Sequence, residues 1–534
     1  MAAKMLDEQA APAHGEPAPA YDPATIEKRW QRAWRDAEVY RTPSSSSSDA
    51  HIAYISTPSA SLAAGTPLDL IRTYSIADAY ARFTRLRGQP VLFSFGFDAF
   101  GPTVEHEALR LQTTPAAWVQ SAVAQRTDQF RRFGFSLDFS RAFCSSDPGT
   151  YRFSQQLFLI LLEKGLIDRT DSEWRLRLGA YVQQADGRLS GAHDIVLSRP
   201  QAWGTPIPVI HCETCGPVPV PIEDLPVCLP DDLRPNGAGN ALHDNKDFLA
   251  CKCPRCSAPA RRETDTLDPY FDRLWQWMAP CVNLEDTKTL FDDPELIRRL
   301  PALQAILGSD DGGLLFDRRA TVKALRDCGL LSGLQDDEPF ASLTMHDSVK
   351  QVNPKERIHI DGLIKRSGAD ALRLTLLFAA APANVLPWSA RTLQYCHGWL
   401  SSLSSYALPR LRVLEDLPEI DDSEGAVALR GRLERWSGIA VERVTENLED
   451  LRMHRAVRNV MTLLLRIEDF ERRVIEQYGE LTPADSSALA DALITAVQLL
   501  APLAPHIAEE LWAAAGRDGF VVTANWPEIK PLAS

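Results

Sequence analysis

Hydrophobic residues between His51 and Gly101 change their spacing twice, which predicts two strands joined by a helix. His51 to Ser56 is a short run rich in β-forming residues, and Val91 to Gly96 is a second apolar run. Between the two runs, apolar residues recur at helical spacing: Ile76, Tyr80, Phe83 and Leu86. Because a helix joins the two strands, they must run parallel.

The sequence also predicts where this helix begins and ends. Thr66 is the expected N-cap, with Pro67 at the first helical position and the acid Asp69 three residues after the cap. Gly88 is expected just beyond the last turn.

From Thr392 to about Ala515, apolar residues recur at helical spacing with charged residues between them. This pattern is typical of an antiparallel helical bundle. The pattern as a whole predicts an α/β fold, with a Rossmann-type parallel-sheet core followed by an α-helical bundle.

Composition narrows the classes of function. The formal net charge of −14 gives no long-range attraction for a polyanion, so DNA is not an expected partner, although a local basic surface could still hold tRNA. Residues 1–20 predict a disordered arm, and no apolar run is long enough to span a bilayer. The 10 cysteines suggest reduced thiols and a cytoplasmic protein without a membrane partner. Nothing in the sequence points to a particular protein partner.

Two Cys-x-x-Cys pairs predict a metal site. Cys212 with Cys215 and Cys253 with Cys256 would present four thiolates on two tight turns, the pattern of a tetrahedral structural zinc site. The alternatives are free thiols, or Cys251 in place of Cys253.

Several segments resemble the class I aminoacyl-tRNA synthetase family, and its leucyl members in particular. Segments similar to that family are Arg72-Thr-Tyr-Ser-Ile-Ala-Asp78, Gly96-Phe-Asp-Ala-Phe-Gly101, Ser198 to Pro208, Gly368-Ala-Asp-Ala-Leu-Arg-Leu374, Pro387-Trp-Ser389 and Leu500 to Trp512. The resemblance implies a catalytic core and an anticodon-binding-like bundle. It divides the chain into a first half of the core at 21–197, a zinc-ribbon segment at 198–275, the rest of the core at 276–390 and the bundle at 391–534.

Two domains of the resembled family are expected to be missing from this sequence. Trp174 to Leu197 leaves room only for a short hairpin where the family usually carries its editing domain. The chain stops at Ser534 without the family's small domain for the tRNA corner. Proofreading by hydrolysis is therefore not expected.

The two ATP signatures of the family are degenerate here. Pro67, Asp69 and Leu70 occupy positions where the family has His-x-Gly-His, and both histidines are missing. In the segment that matches the family's mobile Lys-Met-Ser-Lys-Ser loop, Thr344 and Asp347 replace the lysines.

These replacements bear on ATP as a cofactor. Removing one preorganised donor typically costs roughly 10²–10³ in rate. A carboxylate about 5 Å from a phosphate, at an effective dielectric of about 20, adds on the order of 3 kcal/mol of repulsion. ATP is therefore a doubtful cofactor, and ordinary adenylation is expected to be lost. The alternative is that Asp69 only stabilises the helix start.

The amino-acid side of the family's site is better preserved. Asp98 resembles the residue that holds the α-ammonium of leucine, and its alternative is a carboxylate that caps the following turn. Tyr54, Phe97, Glu105 and Asp268 are the other expected substrate-binding residues. A leucine-like amino acid or an aminoacyl-tRNA is the expected partner.

Hydroxyl groups near this segment suggest a second chemistry. Ser56 and Ser59, with His106 as base, could form a nucleophile and base pair. The alternative is that they are ordinary loop serines.

Three hypotheses follow. The chain is a diverged leucyl-type enzyme that forms an ester or amide by aminoacyl transfer or ligation, or it is a catalytically silent binding or regulatory protein. The third is a leucine–tRNA ligase with a non-standard ATP site.

Overall fold

A four-stranded parallel sheet forms the centre of the α/β part of the chain, which precedes the helical bundle. The computed structural model describes residues 21–43, 52–62, 66–178, 194–235, 237, 239–309, 312–332, 334, 338–351, 358–412 and 426–528. The expected arm at 1–20 and the serine tract at 44–48 lie outside these residues. The central sheet has the order β17-β16-β1-β3, all parallel, with β1 at Ala53–Ser56, β3 at Val91–Phe93, β16 at Leu303–Gly308 and β17 at Ser342–His346. The predicted parallel pairing of the first two strands is confirmed, with Tyr54 opposite Leu92.

Smaller sheets surround the central one. Their strands are β2 Ala60–Ser61, β4 Gly96–Asp98 and β5 Phe143–Cys144; β6 Ile167–Thr170, β7 Glu173–Arg177 and β8 Asp194–Val196; β9 Ser198–Arg199, β10 Thr205–Pro206 and β15 Thr266–Leu267; β11 Val209–Cys212, β12 Gly216–Pro219, β13 Ala250–Lys252 and β14 Pro259–Arg262; β18 Val349–Gln351 and β19 Leu386–Trp388. β4 is the continuation of β3 after a break, so the chain passes from the central sheet to a neighbouring sheet at residues 94–95.

Helices cover the sheet and build the C-terminal region. They are α1 Pro23–Asp36, α2 Leu68–Leu86, α3 Pro102–Arg110, α4 Pro115–Arg132, α5 Pro148–Glu163, α6 Lys246–Leu249, α7 Pro269–Arg273, α8 Pro294–Arg299, α9 Gly312–Asp327, α10 Ile360–Ser367, α11 Ala369–Phe378, α12 Ala390–Arg412, α13 Val427–Glu449, α14 Met453–Tyr478, α15 Pro483–Leu500 and α16 Pro505–Ala514. Within the described part of the chain, none of these helices has the length and hydrophobicity that crossing a membrane requires.

α2 is buried around most of its circumference. It contacts the central sheet and α11. Of the residues predicted to face the sheet (Ile76, Tyr80, Phe83 and Leu86), Phe83 packs edge-to-face on Trp526 near the C-terminus, whereas Tyr74 lies against Phe93 of β3. At the contact with α11, Asp78 accepts hydrogen bonds from Arg82 at 2.8 Å and forms an ion pair with Arg373 at 2.6 Å. Burial opposes ionisation of Asp78, but the two guanidinium groups hold its pKa well below the usual range. The contact between α2 and α11 therefore includes a buried ion pair, between Asp78 and Arg373.

The predicted helical bundle is confirmed by α12 to α16. A buried polar cluster connects it to the core: His506 Nδ1 lies 2.8 Å from Asp370 Oδ1, and the Ile507 amide donates to Asp370 Oδ2 at 2.9 Å. The Asp370 amide donates to Glu27 Oε1 at 3.1 Å. These bonds join α1, α11 and α16.

The two strands of the short hairpin predicted at residues 174–197 are present. β7 pairs antiparallel with β8 and also with β6, so the hairpin belongs to a three-stranded sheet. Residues 179–193, between β7 and β8, lie outside the described part of the chain.

Candidate functional site

The candidate site lies where the carboxyl ends of the central strands meet the start of α2. This is the edge at which ligands bind in open α/β sheets. One group of side chains lies there, and a second lies around the end of β4 in the neighbouring sheet β2-β4-β5. The Asp69 cluster consists of Asp69, Arg72, Thr73, His346 and Asp347, and the Asp98 cluster consists of Asp98, Asp268, Asp272 and Arg273.

Asp69 connects the first turn of α2 to the segment that follows β17. Its Oδ1 accepts a hydrogen bond from the Val349 amide at 2.5 Å. The predicted N-cap is wrong by one residue, because Pro67 is the N-cap and its side chain makes no capping bond. The hydroxyl of Thr66 instead bonds Gln129 on α4, so a tertiary contact has replaced the local cap.

Arg72 is the centre of the Asp69 cluster. Its side chain is fully buried and donates to the carbonyl oxygens of Asp347 at 2.7 Å, Ala381 at 2.9 Å and Asn384 at 3.1 Å. One guanidinium group thereby holds two separate loops against α2. Five donors in a rigid fork make arginine suited to such a role.

His346 closes the same cluster from the end of β17. Its Nε2 lies 2.6 Å from Thr73 Oγ1, and its Nδ1 lies 2.9 Å from the Asp347 carbonyl oxygen. The carboxylate of Asp347 accepts from the Ser348 amide at 2.7 Å. The segment from His346 to Val349 is therefore bonded to α2 through three of its four residues.

The charges of the Asp69 cluster partly compensate each other. Burial lowers the pKa of Arg72 to about 10, and Asp69 and Asp347 oppose this shift. The charge of Arg72 therefore partly offsets the negative charges of Asp69 and Asp347, which the sequence alone presented as uncompensated. The cluster still contains two carboxylates for one arginine.

Asp98 is at the end of β4, beside β2. Its backbone oxygen accepts from the Leu62 amide at 3.2 Å, and its side chain is partly exposed. Burial raises the pKa of Asp98 to about 6, and the nearby Arg273 guanidinium limits the rise. A backbone hydrogen bond from Phe100 also lowers this pKa, so the alternative of a turn-capping carboxylate keeps some support.

The other two acids of the Asp98 cluster are already bonded. Asp268 caps α7 by accepting from the Tyr270 amide at 2.8 Å, and it pairs with Arg199 at 2.5 Å. Asp272 is fully buried and accepts from the hydroxyls of Ser154 and Thr205. Burial raises the pKa of Asp272 to about 7, and both hydroxyls oppose the shift.

Two of the expected substrate-binding residues lie in the hydrophobic core. Tyr54 is almost fully buried, and its hydroxyl donates to the Trp277 carbonyl oxygen. Phe97 is equally buried and packs edge-to-face on Phe95. Both side chains support the strands that carry the site.

The expected nucleophile and base are not joined by a hydrogen bond. Ser56 is buried at the end of β1, whereas His106 is exposed on α3. Among the described residues His106 bonds neither Ser56 nor Ser59. Its neighbour Glu105 accepts from the Trp203 amide at 2.5 Å and so fixes α3 to the adjacent loop.

The four predicted metal-binding cysteines come together. The sulfurs of Cys212, Cys215, Cys253 and Cys256 all lie within 4.8 Å of one another, on turns of the sheet β12-β11-β14-β13. Cys251, the alternative ligand, lies on β13 outside this group.

Sequence reasoning missed five members of the two clusters: Arg72, Thr73, His346, Asp272 and Arg273. Arg72 had a usable signal, because it follows Asp69 by three residues and so lies on the same face of a helix. His346 and Arg273 gave no such signal, since their contacts come from strands and helices distant in sequence.

Comparison with known proteins gives matches along most of the chain. Residues 63–177 match the family described as tRNA synthetases class I (M), and residues 438–534 match the anticodon-binding domain of tRNA ligase. A leucine–tRNA ligase from Halobacterium salinarum is 25% identical over 95% of this chain and 82% of its own length. One from Syntrophobacter fumaroxidans is 35% identical over 62% of this chain, which spans 40% of that relative.

Solved structures share the fold. A LeuRS from Agrobacterium radiobacter K84, in a ternary complex with tRNA and LeuAMS, superposes with a TM-score of 0.82 at 21% identity, over 95% of this chain and 90% of that chain. The methionyl-tRNA synthetase of Mycobacterium tuberculosis bound by methionyl-adenylate gives 0.62 at 15% identity, over 87% of this chain and 96% of that chain. The chain thus contains segments that match the class I tRNA synthetase and anticodon-binding domain families, and it is similar to leucine–tRNA ligases in sequence and to a LeuRS in fold.

Proposed function

We propose that this chain is a diverged leucyl-tRNA synthetase-like protein that has lost ordinary ATP-dependent leucylation of tRNA. It binds an aliphatic amino acid or aminoacyl group through Asp98 and forms an ester or amide by transfer or ligation. The observation that carries the proposal is the bond between Asp69 and the Val349 amide. This bond, with Arg72, holds the segment after β17 directly against the start of α2.

The physical argument concerns phosphate. An anion bound at a helix start needs donors that are free to point at it. Here a carboxylate stands in the first turn of α2, and the one nearby guanidinium is used by backbone carbonyl groups. A polyphosphate in this position would meet two carboxylates and no unbonded cation of the Asp69 cluster.

Leucine-dependent exchange of pyrophosphate into ATP tests the proposal. We expect no exchange, and we expect Asp347→Lys alone not to restore it, because the first signature still lacks its histidines. Exchange at the rate of an ordinary synthetase would refute the proposal and favour the third hypothesis, a leucine–tRNA ligase with a non-standard ATP site.

A catalytically silent binding protein is the second candidate. It is favoured by the separation of His106, exposed on α3, from the buried Ser56. Incubation with leucyl-tRNA and amine or hydroxyl acceptors distinguishes the two. Product that disappears in Asp98→Asn supports the transferase, whereas leucine binding without any product supports the silent protein.

We also propose that the four-cysteine group holds a structural zinc ion. Cys212 Sγ and Cys256 Sγ are 3.6 Å apart, close to the roughly 3.8 Å expected for two sulfurs about 2.3 Å from one tetrahedral zinc. Metal analysis after purification without chelator should find about one zinc per chain, and Cys253→Ser should lower it. Cys251→Ser is the matched control and should leave the zinc content unchanged.

Hydrolytic editing is also proposed to be absent, and the protein is proposed to work in the cytoplasm. The observation that supports the first point is the direct pairing of β7 with β8. Mischarged leucine tRNA should be deacylated no faster with the protein than without it. Deacylation in proportion to protein concentration would contradict this proposal.

A further inference from the structure

The short helix α7 places one more charged side chain near Asp98. α7 packs against the segment that follows β4: the Pro269 Cγ lies 3.5 Å from the position that a Cβ on Gly101 would take. Arg273 follows Pro269 by four residues, so both side chains lie on the same face of the helix. The face that carries Arg273 is thus directed toward the Asp98 segment.

Arg273 forms no ion pair with any residue that the structure describes. Its side chain is exposed, and its guanidinium carbon lies 5.6 Å from the centre of the Tyr270 ring. Among the described residues no carboxylate lies within ion-pair distance of it. Arg199, the neighbouring arginine, differs in this respect because it is paired with Asp268 at 2.5 Å.

The Asp98 cluster therefore leaves one anion and one cation for a ligand. Asp268 is paired with Arg199, and Asp272 is buried and hydrogen-bonded by Ser154 and Thr205. Asp98 is partly exposed and feels the charge of Arg273. The ring of Tyr270 limits the directions that the Arg273 guanidinium can take.

We propose that Arg273 is a specificity-determining residue that binds the α-carboxylate of a free amino acid whose ammonium group lies on Asp98. The inference rests on the proposed role of Asp98 and adds the chemical class of the ligand to it. A free amino acid carries both charges on neighbouring groups and can satisfy both side chains. An aminoacyl ester or amide keeps the ammonium but has no carboxylate, so it forgoes the charge-assisted bonds to the guanidinium.

Calorimetric binding of leucine and leucinamide at pH 7 tests the proposal. The two probes share the side chain and the amine and differ only in the carboxylate. We expect the wild-type protein to bind leucine about tenfold more tightly than leucinamide, since one charge-assisted contact at a partly exposed site is lost. In Arg273→Gln this preference should disappear, while the affinity for leucinamide stays within about twofold.

Two further variants serve as controls. Arg273→Lys keeps the charge without the planar fork and should retain part of the preference. Arg32→Gln removes an exposed arginine on α1, far along the chain from the site, and should change neither affinity.

Equal affinity for the two probes in the wild-type protein, or a preference that survives Arg273→Gln, would overturn the inference and leave the proposed function intact. Failure of both probes to bind would overturn the inference together with the role of Asp98. Pyrophosphate exchange at ordinary rates would refute the proposed function, while the leucine preference and its loss in Arg273→Gln would still support Arg273 as the carboxylate-binding residue.

Discussion

The Asp69 cluster and the Asp98 cluster use their charges differently. In the first, Arg72 is fully buried and donates to carbonyl oxygens of the protein itself. In the second, Arg273 is exposed, and no carboxylate of the described residues is within ion-pair distance. The first cluster uses its arginine within the protein, whereas the arginine of the second is exposed.

This difference separates stabilising polar groups from groups that bind ligands. Burying a polar group is costly unless it is hydrogen-bonded within the protein. A group bonded in this way can bind a ligand only if its existing hydrogen bonds are broken. The Asp69 cluster therefore behaves as a structural connection between α2 and the segment after β17. In the Asp98 cluster, by contrast, Arg273 is exposed and Asp98 is partly exposed.

The largest expected effect is on stability. Arg72→Gln should lower the free energy of unfolding by about 3 kcal/mol, because it leaves buried carbonyl groups and two carboxylates without their guanidinium. Urea unfolding followed by circular dichroism measures this change. Arg32→Gln, which removes an exposed arginine paired with Asp36, should cost less than about 0.5 kcal/mol. Equal effects of the two substitutions would remove the contrast between the clusters.

The next effect is a pH dependence of leucine binding through Asp98. Burial raises its pKa to about 6, and only the ionised form attracts the ammonium group, so affinity should fall as the pH falls through 6. Between pH 7.5 and pH 5 the loss should be about tenfold. Arg273 and Asp268 face Asp98. The neighbouring carboxyl of Asp272, with a pKa raised to about 7, becomes neutral over the same range, and the loss of its negative charge adds a smaller part of the decrease.

Calorimetric titrations at several pH values measure this dependence. The Asp98→Asn variant should bind weakly and keep only the small dependence that Asp272 contributes between pH 5 and 7.5. An affinity of the wild-type protein that stays constant, or rises as the pH falls, would show that Asp98 does not hold the ammonium.

The smallest expected effect is local and concerns the Asp69 bond. In Asp69→Ala, hydrogen exchange of the Val349 amide should accelerate about fivefold, since one hydrogen bond of about 1 kcal/mol is lost. Asp69→Asn keeps an acceptor oxygen and should exchange more slowly than Asp69→Ala. Mass spectrometry of a peptide that covers β17 and β18 measures the exchange in each variant. Unchanged exchange in Asp69→Ala would show that the bond between Asp69 and the Val349 amide does not stabilise this segment.

Local signals account for much of the fold. Period-3.6 spacing located α2 and the bundle helices, and a strand–helix–strand order was sufficient to predict the parallel pairing of β1 with β3. The helix start was missed by one residue, because Thr66 bonds Gln129 on α4 instead of capping α2. A local capping rule cannot anticipate a competing partner that lies 63 residues away.

The sequence alone determined which residue types stand in the two clusters and in the cysteine group: the acids at positions 69, 98 and 347, and the two Cys-x-x-Cys pairs. Only the tertiary structure decided which oppositely charged group lies near each of those acids. The charge of Arg72 offsets part of the negative charge of Asp69 and Asp347. Asp268 forms an ion pair with Arg199. Asp98 lies near the charge of Arg273. The physical reason is that hydrogen bonding and desolvation depend on partners from distant segments, and these partners become neighbours only when the β17–β18 turn and α7 pack against α2 and β4.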